Sequence, residues 1–378
     1  MTRQERCNQG EGTPTREWPS GSTRSPLRTA IIGFGISGRV FHAPLIQADI
    51  SYALEAIVTS DPRRAAEARK IYPNTEIIAR PEELFSRLER GNLGLDLVVI
   101  GTPPVNHKKL ATAALECGLH VVVDKPFVPT SDDGEELIAA AAAAGRCLTV
   151  FQNRRWDGDF LTVQKLIREG SLGEVRTFES RFEWWMPEGF GNWRDKALLA
   201  EGGGILHDLG AHLIDQAIQL FGPVAEVYGE TSRHGDSSQS DADQEAFLSL
   251  LHQSGTRSRL WMNGQAAQPG PRFHIMGSRA AYTKWGLDGQ EKALAEGQLP
   301  TDVQYGVEPP ESWGSIGVAG ERTSVPTNNG DYRQFYKQLA QALQAGRSAP
   351  VDPRDAVEVL KIIERSRQQK RASMSIAG

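Results

Sequence analysis

Three side chains in this sequence are of types that move protons or hold charge at a reacting atom. Asp208 and His212 stand four residues apart in Gly202-Gly203-Gly204-Ile205-Leu206-His207-Asp208-Leu209-Gly210-Ala211-His212, so on a helix they share a face. A carboxylate and an imidazole so placed can take the proton of a hydroxyl while a hydride leaves its carbon. Lys125 follows the apolar run His120-Val121-Val122-Val123, inside Asp124-Lys125-Pro126. The carboxyl end of a parallel strand is where ligands bind, and Pro126 would hold the turn rigid, with a cis bond before it as one option. Each residue also has a plainer reading. Periodicity alone makes Asp208, His212, Asp215 and Gln219 a solvated helix face or a helical ion pair. Spacing alone makes Lys125 a surface lysine at a strand end. An Asp/His pair would also suit a metal, but no third ligand follows from the spacing, and no metal is expected.

A second pattern indicates what those groups would act beside. Thr29-Ala30-Ile31-Ile32 is a short apolar strand, and it runs through Gly33-Phe34-Gly35-Ile36-Ser37-Gly38 into a helix. The first glycine permits the tight turn, the second lets main chain approach a pyrophosphate, and the third lets helix and strand pack closely. The helix start would aim free N–H groups at the phosphates. The next strand, Leu54–Val58, ends in Thr59-Ser60, where a carboxylate would normally meet the adenosine ribose; Asp61-Pro62 instead reads as a helix cap. Hydroxyls at Thr59 and Ser60, followed by Arg63 and Arg64, suit a 2′-phosphate better than a 2′-hydroxyl. The cofactor expectation is therefore NADP, with NAD as the alternative and a solvated arginine face as the plain reading.

The elements that must position these residues follow from the pattern of apolar runs. Residues 28–151 alternate strand and helix: Leu95–Ile100 ends at Gly101-Thr102-Pro103-Pro104, a helix spans Lys108–Cys117, another runs from Ser131 to Ala144, and Leu148–Phe151 is a further strand. This alternation predicts a doubly wound parallel sheet, with a bend expected at Pro44 in the first helix. His107 reads either as a cofactor-side hydrogen bonder or as a helix-start residue with no ligand. Beyond Phe151 the loop Gln152-Asn153-Arg154-Arg155-Trp156-Asp157 is polar and aromatic. Strands then dominate: Val175–Glu183, Ala225–Glu230, Glu245–Leu251, Ser258–Met262, Phe273–Met276 and Ala280–Lys284. They predict an open, mostly antiparallel sheet interrupted by one helix over 202–215. A Gly/Pro-rich connection over 286–330 reads as a lid or an interface arm, and helices near Tyr332–Ala345 and Pro353–Gln369 close the chain. The expected division is an extension over 1–27, a nucleotide-binding domain over 28–150, and a substrate and oligomerisation domain over 151–378.

Bulk properties exclude several classes. The chain has 378 residues, 39% hydrophobic and 24% charged, with a formal net charge of −5 and no basic run, so neither nucleic acid nor a membrane is an expected partner. No apolar run is long enough to span a bilayer. The three cysteines Cys7, Cys117 and Cys147 fit a reducing, cytoplasmic setting rather than a disulfide framework. Residues 1–27 lack an apolar signal core and read as a disordered extension.

Taken in order, Gly33-Phe34-Gly35-Ile36-Ser37-Gly38 with His42, then Thr102-Pro103 with His107 and Asp124-Lys125-Pro126, then Gly203-Gly204, Asp208 and His212, resemble the glucose–fructose oxidoreductase/inositol dehydrogenase (Gfo/Idh/MocA) family over about residues 28–370. Asp124 stands where the family has Glu. The resemblance implies a Rossmann domain followed by an α/β domain whose open sheet serves a homodimer or tetramer. It also implies Lys125, Asp208 and His212 as the catalytic group, acting on a polyol or sugar. In that scheme His212 is the base, Lys125 steadies the alkoxide, and Asp208 orients the hydroxyl or the imidazole. Asn153, Arg155, Trp156, Trp193 and Asp195 are candidates for substrate contact, with arginine stacking or structural salt bridges as the alternatives for Arg154 and Arg155. Asp124-Lys125-Pro126, the 153–157 loop and Thr59-Ser60 look like the NADP-type scyllo-inositol 2-dehydrogenase branch. Two other readings are an NADP-binding regulator that senses a sugar and a relative that cleaves glycosides with NAD. The decisive expectation is that Lys125 and His212 converge on one cleft.

Overall fold

The computed structural model describes residues 25–191, 193–234 and 240–375. The extension expected over 1–27 therefore lies, as far as residue 24, outside the described residues. Six strands form a parallel sheet: β1 Leu27–Ile32, β2 Tyr52–Val58, β3 Glu76–Ile78, β4 Leu97–Ile100, β5 His120–Asp124 and β6 Leu148–Phe151. Their order is β3-β2-β1-β4-β5-β6, so the direction of winding reverses between β1 and β4 and opens a crevice at the carboxyl ends of those strands. Every residue of β4 and of Val121–Val123 is buried, as strands covered by helices on both faces must be.

Helices α1 Ala43–Gln47, α2 Pro62–Ile71, α3 Pro81–Glu89, α4 His107–Glu116 and α5 Ser131–Ala144 connect these strands. Asp61 caps α2 as expected, its Oδ1 accepting from the Arg63 and Arg64 N–H groups at 2.8 and 3.2 Å. The first helix differs from expectation. Ser37–His42 is wound as a π-helix, the Ala43 N–H reaching back to the Gly38 carbonyl, and Pro44 falls in the first turn of α1. The wider turn accommodates a proline that can neither donate nor tolerate a close carbonyl four residues back. The short strand β3 carries too little periodicity to be visible in the sequence.

The second sheet has eight strands: β7 Val175–Glu183, β8 Val224–Ser232, β9 Glu245–His252, β10 Arg257–Asn263, β11 Phe273–Gly277, β12 Ala281–Lys284, β13 Gly314–Val318 and β14 Glu321–Val325. They run in the order β14-β13-β12-β11-β7-β10-β9-β8, and all pairings are antiparallel except β7 with β10. The connection over 286–330, expected as a lid or an interface arm, has regular structure of its own. It contains α9 Gln290–Ala295 and the hairpin β13–β14, which continues the sheet through a turn at Ala319-Gly320. Exposed polar residues on β14 and glycines in β13 hide this hairpin from a hydrophobic pattern.

The remaining helices are α6 Gly158–Arg168, α7 Ile205–Asp208, α8 Gly210–Phe221, α10 Arg333–Ala345 and α11 Pro353–Ser375. Two apolar clusters result, one around each sheet. Helix α11 joins them: Ala356, Val357 and Leu360 pack in the first, while Val359, Ile362 and Ile363 pack in the second. Tyr332, Phe335, Tyr336 and Leu339, though late in the chain, also belong to the first, as do Leu294 and Tyr305.

Candidate active site

Lys125 leaves the end of β5 through a cis Lys125–Pro126 bond, and its own N–H donates to Asp124 Oδ1 at 2.8 Å. Its Nζ reaches the second half of the molecule. It donates to Asp208 Oδ1 at 2.7 Å and to the Asp208 main-chain carbonyl at 3.2 Å. That carbonyl is available because the single helix expected over 202–215 is broken at Leu209. The His212 N–H donates to the Leu209 carbonyl at 3.1 Å, leaving the Asp208 carbonyl to the lysine. Gly204, at φ +96°, allows the chain to enter α7 against Asp243, where a β-carbon would lie 2.7 Å from a carboxylate oxygen.

Asp208 holds a second cation. Arg194 Nε lies 2.7 Å from its Oδ2, in an ion pair whose two side chains are 27% and 10% exposed. Burial pushes the Asp208 carboxyl up, but the Lys125 ammonium and the Arg194 guanidinium outweigh it and hold the group well below the usual carboxylate range. His212 is buried one turn further on, and its Nδ1 is sealed without a hydrogen-bond partner. Burial lowers its pKa well below the usual value, and Lys125, Arg154, Arg272 and Arg194 lower it further, so the imidazole is neutral. With both oxygens of Asp208 engaged by cations, that carboxylate steadies the ammonium rather than the imidazole. Arg194 carried no periodic or motif signal, and the pairing that singles it out exists only once the chain is folded.

On the polar stripe of α8, His212 and Asp215 are buried and Gln219 is half-buried, so the stripe is not a solvated face. Asp215 accepts two hydrogen bonds from Arg155, at 2.8 Å from Nε and 2.5 Å from Nη2, and Arg155 Nη2 also donates to Asp355 of α11 at 2.9 Å. Gln219 donates to the same Asp355 at 3.2 Å. Gln216 donates to the Arg154 carbonyl at 2.9 Å and accepts from Arg272 at 2.8 Å. Both Arg154 and Arg272 lie over the Phe182 ring, 4.8 and 4.3 Å from its centre, and that ring meets His212 edge-on at 6.0 Å. Arg154 also pairs with Glu291 of α9 at 2.5 Å. The salt-bridge alternative thus describes where Arg154 and Arg155 are held. Asn153 is buried at the start of the same loop. Trp156 packs edge-to-face on Phe335 and lines a groove of about 620 Å³ with Tyr305 and Gln334. Asp195 is exposed and accepts the Phe190 N–H at 2.8 Å, and the Trp193 side chain lies outside the described residues.

The crevice edge fits a dinucleotide. A β-carbon on Gly33 would lie 2.6 Å from the Gly101 carbonyl oxygen, and one on Gly38 would lie 2.0 Å from the Gly33 carbonyl oxygen, so neither position has room for a side chain. At Gly35 a β-carbon would meet only Arg64 Nη1, at 3.7 Å, so the main chain is open there and a guanidinium stands over it. Ser37 Oγ is buried without a partner beside this turn. Ile36 is exposed, Phe34 packs inward on Tyr72, Thr59 is buried at the end of β2, and Ser60, Arg63 and Arg64 are exposed just beyond it. Thr102 and Pro103 are half-buried after β4. His107 is fully buried between main-chain carbonyls, with Nε2 2.7 Å from the Thr102 oxygen and Nδ1 2.9 Å from the Phe127 oxygen. It therefore ties the β4 turn to the Lys125–Pro126 turn. Of the residues of the turn, His42 is also fully buried, with Nδ1 2.7 Å from the Tyr336 hydroxyl.

A parallel sheet with a dinucleotide turn, joined to a second sheet whose helix carries Asp208 to the Lys125 ammonium, is the architecture of a nicotinamide-dependent oxidoreductase. Residues 27–152 match the oxidoreductase family with an NAD-binding Rossmann fold, and residues 160–283 match the GFO/IDH/MocA C-terminal domain. The chain belongs to the Gfo/Idh/MocA family. It is similar to the scyllo-inositol 2-dehydrogenase (NADP(+)) IolW of Bacillus subtilis, 32% identical over 93% of this chain and 95% of that one. It is also similar to the oxidoreductase YdgJ of Escherichia coli, 37% identical over 89% of this chain and 94% of that one. Among solved structures, the oxidoreductase YvaA of Bacillus subtilis superposes with a TM-score of 0.82 at 32% identity, covering 91% of this chain and 97% of its own. The oxidoreductase YPO2259 of Yersinia pestis gives 0.81 at 34% identity, covering 92% and 96%. Among the described residues no helix is long and apolar enough to cross a membrane.

Proposed function

We propose that this protein is an NADP-dependent dehydrogenase that oxidises, reversibly, a secondary alcohol of a cyclitol or sugar of the scyllo-inositol type. The observation that carries the reading is the Lys125–Asp208 pair at the crevice, with the neutral His212 one helical turn away. When bound, the nicotinamide supplies hydride acceptance. The chain's own residues handle the proton and the charge. His212, uncharged and with Nδ1 sealed, takes the hydroxyl proton on Nε2. Lys125 stabilises the negative charge that develops on the oxygen, and Asp208 keeps the ammonium in place. Arg64 over Gly35, with Arg63, Thr59 and Ser60, supports a 2′-phosphate and hence NADP.

The substrate class rests on similarity to IolW, whose name gives both substrate and cofactor. A cytoplasmic homo-oligomer built on the second sheet belongs to the same reading. Along β9 and β10 burial alternates residue by residue, which leaves one face of that sheet uncovered. The test is a panel of cyclitols and aldoses with NADP and with NAD, followed at the nicotinamide absorbance. Turnover of a cyclitol or aldose with NADP at least about tenfold better than with NAD is the expected result. A cofactor that binds while no alcohol is oxidised would favour the sugar-sensing regulator, and an NAD that co-purifies and cannot be exchanged would favour the glycoside-cleaving relative.

A further inference from the structure

We propose that Arg194, in the segment between β7 and α7, is a positioning residue of the active site: its ion pair with Asp208 Oδ2 fixes the carboxylate so that Oδ1 holds the Lys125 ammonium at the crevice. The inference rests on the reading of Lys125 and Asp208 given above.

A carboxylate with one partner turns freely about its last bond and offers either oxygen. Here the two oxygens meet different cations, Lys125 Nζ on Oδ1 and Arg194 Nε on Oδ2, each at 2.7 Å. Rotating Asp208 would break both contacts, so the second cation locks the first in place. The pair is not an exposed surface bridge of negligible consequence, because Asp208 is 10% exposed and Lys125 15%. Arg194 is also carried on an organised segment. The Trp193–Asp195 turn is held by Asp195 accepting the Phe190 N–H, and the residues that follow are anchored where Leu199 N–H donates to Asp241 at 2.7 Å and Ser240 donates to the Ala197 carbonyl at 2.8 Å. A guanidinium on a fixed turn restricts Asp208 in a way that a solvent-exposed lysine elsewhere on the segment would not.

The experiment compares Arg194→Gln, Arg194→Lys and Lys125→Met in the full chain, measuring kcat and KM on the best alcohol of the panel, NADPH affinity by fluorescence, and the unfolding midpoint. Arg194→Gln is expected to lower kcat about 10- to 100-fold, with KM and NADPH affinity within about threefold and the midpoint nearly unchanged. Arg194→Lys, which restores a cation without the planar fork, should recover a large part of kcat. Unchanged kcat in Arg194→Gln, or equal losses in both variants together with a lowered midpoint, would overturn the proposal. Full turnover in Lys125→Met would instead overturn the catalytic reading beneath it, and with it the role assigned to Arg194.

Discussion

Lys125 and Asp208 are 83 positions apart in the chain, yet Nζ and Oδ1 lie 2.7 Å apart where the two sheets meet. The contact joins the end of β5 to the end of α7, so the proposed chemistry and the junction of the two halves share one ion pair. Lys125→Met should lower kcat about 10²- to 10³-fold, since charge stabilisation at the oxygen is lost. Asp208→Asn should also cost stability, about 1–3 kcal/mol, because it removes the charge-assisted hydrogen bond of the half-buried Lys125. Kinetics and thermal unfolding measured on the same preparations separate the two effects.

The glycine turn makes a prediction that distinguishes folding from binding. Gly35→Ala leaves space around the new methyl group, with only Arg64 Nη1 near, at 3.7 Å. It should fold normally, with an unfolding midpoint within a few degrees of the parent, and bind NADPH at least about tenfold more weakly because the main chain no longer meets the pyrophosphate. Gly38→Ala, whose β-carbon would sit 2.0 Å from the Gly33 oxygen, should instead lower the midpoint markedly. Fluorescence titration and calorimetry on both variants check the contrast.

Cofactor choice is argued from Arg63 and Arg64. Replacing both with alanine should weaken NADPH binding by about 10- to 100-fold, the loss of one charge-assisted contact or more, and change NADH binding by less than about threefold. Unchanged NADPH binding would assign the arginines to the helix surface, and equal losses for the two cofactors to a part that both share.

Stability should fall with acidity above the range where carboxylates titrate. Burial lowers His42 from 6.5 to about 4, and it does the same to His207 and to His120. The unfolded chain protonates these rings near their ordinary value while the fold keeps them neutral. Their contribution is therefore complete above about pH 6.5 and is lost as pH falls toward 4, each ring contributing about 1.4 kcal/mol per pH unit. The unfolding midpoint should drop by about 5 °C or more between pH 7 and pH 5. A flat profile over that interval would mean that the rings are protonated in the fold.

Much of this architecture is legible in the sequence because it is written locally. The apolar runs of β4 and β5, the cap at Asp61-Pro62 and the spaced glycines each state their structure within a few residues. What escapes is settled between distant segments. The partners of Arg155, Asp215 and Asp355, lie far from it in the chain and are joined to it only by the fold. The break at Leu209 is invisible in a helical stripe that continues through it, yet it frees the Asp208 carbonyl for Lys125. Arg194 and Glu291 reach the site from segments of low periodicity, and their roles appear only through their partners.

The central claim is that the imidazole brought by α8 and the ammonium at the end of β5 serve one reaction. Its most direct test is turnover of the best cyclitol or aldose by His212→Ala at saturating NADP, with NADPH affinity measured alongside. The account predicts that affinity survives while kcat falls about 10²- to 10⁴-fold, the contribution of a general base. Undiminished kcat in that variant would contradict it.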